Sequence, residues 1–148
     1  MSGDLDQVYT LYVRGDARAV WSALTDPQLT VHWFHGLHVH SDWRAGDPIH
    51  WTRANDDRAV VHGEILEIDR ERDLLHTFRL SANDDPETRV RLRLTPEEED
   101  VLRLVLTHVG FAERNETWHQ VSAGWPRALS ALKTWIETGR ALGARADD

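Results

Sequence analysis

The apolar pattern of this chain changes period once, and that change limits the folds open to it. From about Leu37 to Val109 the apolar residues alternate with polar ones or cluster in short β-prone runs. From Val121 onward, Val121, Trp125, Ala128, Leu129, Leu132, Trp135 and Ile136 fall at i, i+4, i+7, i+8, i+11, i+14 and i+15. That spacing is one face of an amphipathic helix. A half-buried sheet and a one-faced helix each need a partner surface, and here each can cover the other.

The rest of the chain fits around this pair. Val8–Val13 is rich in β-formers and is expected as a first strand, ended at Gly15-Asp16. Asp16 is a good N-cap for a short helix carrying Val20, Trp21 and Leu24. Thr25-Asp26-Pro27 stops that helix, and Pro27 suits the first turn of a second. The second carries Leu29, Val31, Trp33 and Phe34 and is expected to end near Gly36. Strands are then expected at Leu37–Trp43, Ile49–Arg53, Ala59–Ile68, Leu74–Leu80, Arg89–Leu94 and Val101–Val109, with an acidic turn at Pro96–Asp100. Short links between consecutive strands imply antiparallel pairing. The last helix is expected to start at an N-cap Thr117, with Gln120 completing a capping box, and to end at Gly139. Gly124 and Pro126 weaken one turn of it, so a kink is expected there. Strands segregated from helices make the class α+β.

Composition narrows the functions. The chain has 148 residues, one ordinary domain, expected to span 1–148 with a core over 6–140 and a small polar tail at 141–148. There is no cysteine, which removes disulfides, thiolate metal sites and cysteine nucleophiles. A net charge of −8 disfavours a nucleic acid or an anionic membrane as partner. The opening MSGDLDQVYT lacks the basic and apolar regions of a signal peptide, and no apolar run is long enough to span a membrane. A cytoplasmic location is expected. Two excesses remain: seven tryptophans and nine histidines.

Three segments carry a resemblance. Val20-Trp21-Ser22-Ala23-Leu24-Thr25-Asp26-Pro27 followed by Val31-His32-Trp33-Phe34 resembles the opening motif of the SRPBCC (START-like, helix-grip) superfamily. It is most similar to the branch named after the activator of heat-shock-protein-90 ATPase. Leu106-Thr107-His108-Val109-Gly110-Phe111 resembles that branch's strand end, and Gly124-Trp125-Pro126-Arg127-Ala128-Leu129-Ser130-Ala131-Leu132-Lys133 its terminal helix. The motifs stand in order over roughly residues 6 to 140. The resemblance implies a helix-grip fold: a curved antiparallel sheet around a long C-terminal helix, two short helices after the first strand, and a cavity between sheet and helix. His35-Gly36 departs from the small residue and proline common at that point, so the loop at the cavity mouth is expected to differ.

The candidate ligand-binding residues are Trp33, Phe34, Trp51, His62, His76, His108, Trp118 and Trp125. Ligand pockets are mostly apolar with a few polar groups, and this set has that character. Trp21 and Trp135 are assigned to core filling. A histidine on an apolar strand face can act as a general base or sit as a satisfied buried ring. No nucleophile stands at a recognisable spacing, so no catalytic residue is assigned. His32, His35, His38, His40 and Asp42 invite a metal, but their spacing fits no standard motif, so no metal and no cofactor are expected. Arg89, Arg91 and Arg93 are read as a solvated outer face.

The function expected is binding of a small hydrophobic or aromatic ligand between sheet and helix. The alternatives are a cyclase- or hydrolase-type enzyme using pocket histidines, a heat-shock-protein-90 co-chaperone implied only by the family name, and a resistance protein for a reactive natural product. A homodimer is open to a chain with exposed aromatic residues or strand edges.

Overall fold

The computed structural model describes residues 3–143; part of the expected tail, 144–148, lies outside them. Strand β1 (Gln7–Arg14) is followed by helix α1 (Ala17–Thr25) and a single-turn helix α2 (Pro27–Thr30). Six strands follow: β2 (His38–Ser41), β3 (Pro48–Thr52), β4 (Ala59–Asp69), β5 (Asp73–Leu80), β6 (Thr88–Glu98) and β7 (Val101–Val109). Helix α3 (Glu116–Thr138) closes the chain.

The seven strands form one sheet in the order β1-β7-β6-β5-β4-β3-β2. Every pair is antiparallel. The chain leaves one edge at β1, crosses to the other through α1 and α2, and returns strand by strand until β7 lies beside β1. Register shifts at Trp51/Thr52, Ile65/Glu67 and Pro96/Glu98 mark the irregularities that bend such a sheet. At one of the bends β4 runs so close to β5 that a Cβ on Gly63 would stand 1.9 Å from the Thr77 carbonyl oxygen. Only glycine fits there. The Thr77 hydroxyl accepts from the Glu64 N–H and holds the same approach.

The inner face of the sheet and the apolar face of α3 make one core. Val90, Leu92 and Leu94 of β6 and Leu102, Leu104 and Leu106 of β7 point inward, as their alternation requires. Val121, Trp125, Ala128, Leu129 and Leu132 meet them from α3, and Leu132 is fully buried. Outside, Arg91 pairs with Asp73 and with Glu67, each at 3.0 Å. No helix among the described residues is long and apolar enough to cross a membrane.

Four local expectations are corrected. Helix α3 starts earlier than Thr117: Asn115 is its N-cap, its Oδ1 accepting from the Trp118 N–H at 2.9 Å. Thr117 lies inside the first turn, where its N–H and hydroxyl both donate to Asp85 Oδ2 from the β5–β6 loop. Gln120 does not fold back as a capping box; its carbonyl accepts from Asn83. Second, the acidic turn is shorter, because β6 continues to Glu98 and only Glu99-Asp100 turns, with Asp100 left-handed at φ 65°. Third, α2 is one turn only. The Thr30 hydroxyl donates to the Leu37 carbonyl and accepts from the Val39 N–H, folding the chain back into β2. Fourth, β2 stops at Ser41, because Trp43 takes a left-handed backbone at φ 61°. The helix C-terminus is where glycine was expected, Gly139 at φ 72°. Helix α3 runs through Pro126 as one element.

Candidate functional site

The space between sheet and helix is split in two. An outer cavity of about 210 Å³ opens between the tip of α3 and strands β3 to β5. Its apolar walls include Phe34, Leu37, Val60, Val61, Phe78, Leu80, Val121 and Trp125. Its polar rim is His35, Arg53 and Gln120. An inner chamber of about 20 Å³ lies deeper, among Leu24, Trp33, Trp51, Leu74, His76 and Leu92. Phe34, Phe78 and Trp125 line both spaces and so form the partition between them. Ring centroids lie 5.7 Å apart for Phe34–Trp125 and 6.2 Å for Phe78–Trp125. The Phe34 ring also stands 5.6 Å from Trp51. These are ordinary tilted aromatic contacts.

Trp125 is fixed by a buried chain of hydrogen bonds. Its indole N–H donates to His108 Nδ1 at 3.0 Å, so Nδ1 is the acceptor nitrogen and Nε2 carries the proton. Nε2 donates to Thr88 Oγ1 at 2.7 Å, and the Thr88 hydroxyl donates onward to the Phe78 carbonyl at 3.2 Å. Every polar atom in the chain has a partner, and His108 has no free acceptor to offer a ligand. Burial, reinforced by the nearby His76, pushes His108 down to about 3. It is a neutral positioning residue for Trp125.

His76 is different. Its Nδ1 donates to the Thr77 carbonyl at 2.7 Å, which leaves Nε2 as the acceptor nitrogen. Burial pushes it down to about 4, against the opposing pull of that carbonyl, so it too is neutral at neutral pH. Its ring lies 5.2 Å from Trp51.

The mouth is built by a loop. His35 and Gly36 are consecutive left-handed residues at φ 53° and 73°. Such a backbone is uncommon for a non-glycine residue. His35 lies over α3 beside Gly124, where a Cβ would stand 3.4 Å from His35 Nε2. Burial and then the Arg127 charge hold His35 below the usual histidine range.

Of the eight candidate residues, Trp33, Phe34, Trp51, His76 and Trp125 gather around the two spaces. His108 stands behind Trp125. Two lie elsewhere. His62 is exposed on the outer face, its Nδ1 3.1 Å from Ser81 Oγ, because its neighbour Val61 takes the inward position. Trp118 donates to the Leu5 carbonyl and braces the N-terminal segment, with Arg114 5.1 Å over its ring. Of the mouth residues, the sequence marks His35 at the cavity mouth, and Gln120 and Gly124 only as parts of the last helix; none of them, nor Arg53, is among the candidate ligand-binding residues. Arg53 shares strand parity with Trp51, and Gly124 interrupts an otherwise strong helix; those were the available signals.

The remaining histidines spread out. His32 stacks on Trp135 at 4.0 Å, and His38 Nδ1 lies 3.1 Å from the Pro27 carbonyl. His40 stacks on His50 at 5.0 Å. Among the described residues no group of three or more histidine or acidic side chains is placed to hold a metal ion.

Comparison with known proteins agrees with this geometry. The family model described as Activator of Hsp90 ATPase homolog 1-like protein matches residues 15–137. No curated protein matches the chain. Among solved structures, CalU16 from Micromonospora echinospora superposes with a TM-score of 0.70 at 27% identity, covering 88% of this chain and 73% of that one. DynU16, described as a protein in the dynemicin biosynthetic locus, gives a TM-score of 0.76 at 20% identity over 94% of this chain. The chain spans about half of it, 49%. The Aha1 dimer from Colwellia psychrerythraea gives 0.75 at 15% identity, covering 92% and 98% of the two chains. The last two likenesses show the fold alone.

Proposed function

Since the chain belongs to the family of Activator of Hsp90 ATPase homolog 1-like proteins and has its α+β helix-grip fold, we propose that it binds a small hydrophobic or aromatic ligand between the sheet and α3. The cavity carries this proposal: about 210 Å³, with apolar walls and a polar rim limited to His35, Arg53 and Gln120. A concave, largely preformed apolar pocket with a few polar groups is the usual form of a small-molecule site. Burial of ligand surface at ~25 cal/mol per Å² would supply most of the affinity.

A cyclase- or hydrolase-type reaction is less well supported. Proton transfer by a histidine usually relies on a partner that orients it and tunes its pKa. His76 is bonded to a backbone carbonyl, and His108 to a hydroxyl and an indole. Neither meets a carboxylate, and both are held far below neutrality.

The family name also raises a chaperone partner, and the Colwellia structure is a dimer. Val8 and Tyr12, 60% and 53% exposed on edge strand β1, are the surface that favours a homodimer. We place the protein in the cytoplasm. The test of ligand binding is a panel of apolar aromatic compounds against the melting temperature and the tryptophan fluorescence. A ligand at ~100 times its Kd adds ~2.7 kcal/mol of stability. A panel that neither raises the melting temperature nor quenches fluorescence overturns the proposal. An Hsp90 ATPase assay with the protein added would separate a co-chaperone from a ligand carrier.

A further inference from the structure

The inner chamber holds an unused acceptor. His76 is 2% exposed, and its Nδ1–H is spent on the Thr77 carbonyl. Among the described residues nothing donates to its Nε2. The imidazole edge carrying Nε2 faces away from that carbonyl, and His76 is a wall of the chamber. Nε2 therefore stands at the chamber wall as an acceptor with no donor from the described residues, open to a donor that enters the chamber from outside the protein. Trp51 adds a complementary group. The indole N–H of Trp33 goes to Ala23, that of Trp118 to Leu5 and that of Trp125 to His108, whereas that of Trp51 has no acceptor among the described residues. Trp51 and His76 line the same chamber, their rings 5.2 Å apart.

The chamber, about 20 Å³, has room for one oxygen-sized group and no more. A hydroxyl both donates and accepts, and therefore matches an acceptor and a donor at once. We propose that His76 Nε2 is the polar anchor of the cavity and receives the hydroxyl of a phenolic ligand, whose ring system fills the outer cavity. This rests on the ligand-binding proposal above and names the class of ligand. Phe34 is the gate. Phe78 sits on a strand, and Trp125 is tied to His108; Phe34 belongs to the loop whose next two residues are left-handed. In this proposal it is the member of the partition that turns aside to let a hydroxyl through.

The test compares 2-naphthol with 2-methylnaphthalene, the same ring with and without the hydroxyl, by calorimetry on the wild type and on His76→Phe. The ratio of the two affinities should change about tenfold between the proteins, the worth of one hydrogen bond. The hydrocarbon should bind both alike. If the ratio is the same in both proteins, the anchor is wrong while the cavity still binds apolar rings. If neither compound binds the wild type, the cavity proposal falls and takes the anchor with it. A nitrogen spectrum of the wild type decides the matter even if His76→Phe does not fold. The Nε2 resonance of His76 should move on adding 2-naphthol and stay on adding 2-methylnaphthalene, and an unmoved resonance in both cases refutes the anchor.

Discussion

Lowering the pH from 7 to 5 should cost this fold roughly 4 kcal/mol, supplied by two buried histidines. In the unfolded chain both imidazoles titrate near the ordinary ~6.5. In the folded protein burial holds His76 at about 4 and His108 at about 3. Between those values and ~6.5 the unfolded chain binds more protons than the folded one, so stability falls as the pH falls. The contribution is fully present above ~pH 6.5 and is lost progressively on the way down, at ~1.4 kcal/mol per pH unit for each group. At pH 5 each histidine has lost ~2 kcal/mol. His35 and His40 shift in the same direction but are only partly withdrawn from water, where the effect is screened. Glu137, held below the ordinary range by Lys133, adds its loss only in the more acidic carboxylate range. Urea unfolding followed by tryptophan fluorescence at pH 7, 6 and 5 measures the slope, and His76→Phe should remove about half of it. Equal stability at pH 7 and 5 would refute the reasoning, because it would mean that both rings are open to water and titrate normally.

Leu132→Ala should cost ~2–5 kcal/mol in urea melts, since the side chain is fully buried at the centre of the α3 stripe; a loss under ~1 kcal/mol would place that stripe off the core. Thr88→Val leaves the His108 Nε2–H without an acceptor and should cost ~1–3 kcal/mol, also read by urea melts. Gly124→Ala should raise the melting temperature. The new Cβ meets His35 at an ordinary contact of 3.4 Å, while helix propensity gains ~1 kcal/mol. A lowered melting temperature would show that the mouth loop cannot yield.

The elements were legible where one periodic signal decided them. The alternation of Leu102, Leu104 and Leu106 and the α3 stripe from Val121 to Leu132 face the core as expected, whereas Trp135 at the end of that stripe is only part-buried and stacks on His32 rather than filling the core. Burial drives both patterns, and burial is what the structure satisfies. The site was legible only in part. His62 could be assigned to the cavity from sequence because a strand's alternation does not name its concave side. Its neighbours Val61 and Ile65 occupy the inward positions and send His62 outward. Thr117 with Gln120 forms the better local capping pattern, yet Asn115 wins. The acceptor for Thr117 comes from Asp85, a loop more than thirty residues away in sequence, which local spacing cannot show. The pairing of His108 with Thr88 likewise depends on the β6–β7 register and on the chain's return past Phe78.

The seven indole N–H groups are natural reporters for the central claim that a ligand lies between the sheet and α3. A nitrogen–proton spectrum recorded with and without saturating 2-naphthol measures all of them at once. Trp33, Trp51 and Trp125, which line the two spaces, should move, and Trp118 and Trp135, which face other contacts, should not. Seven unmoved signals, or shifts confined to Trp118 and Trp135, would contradict the account.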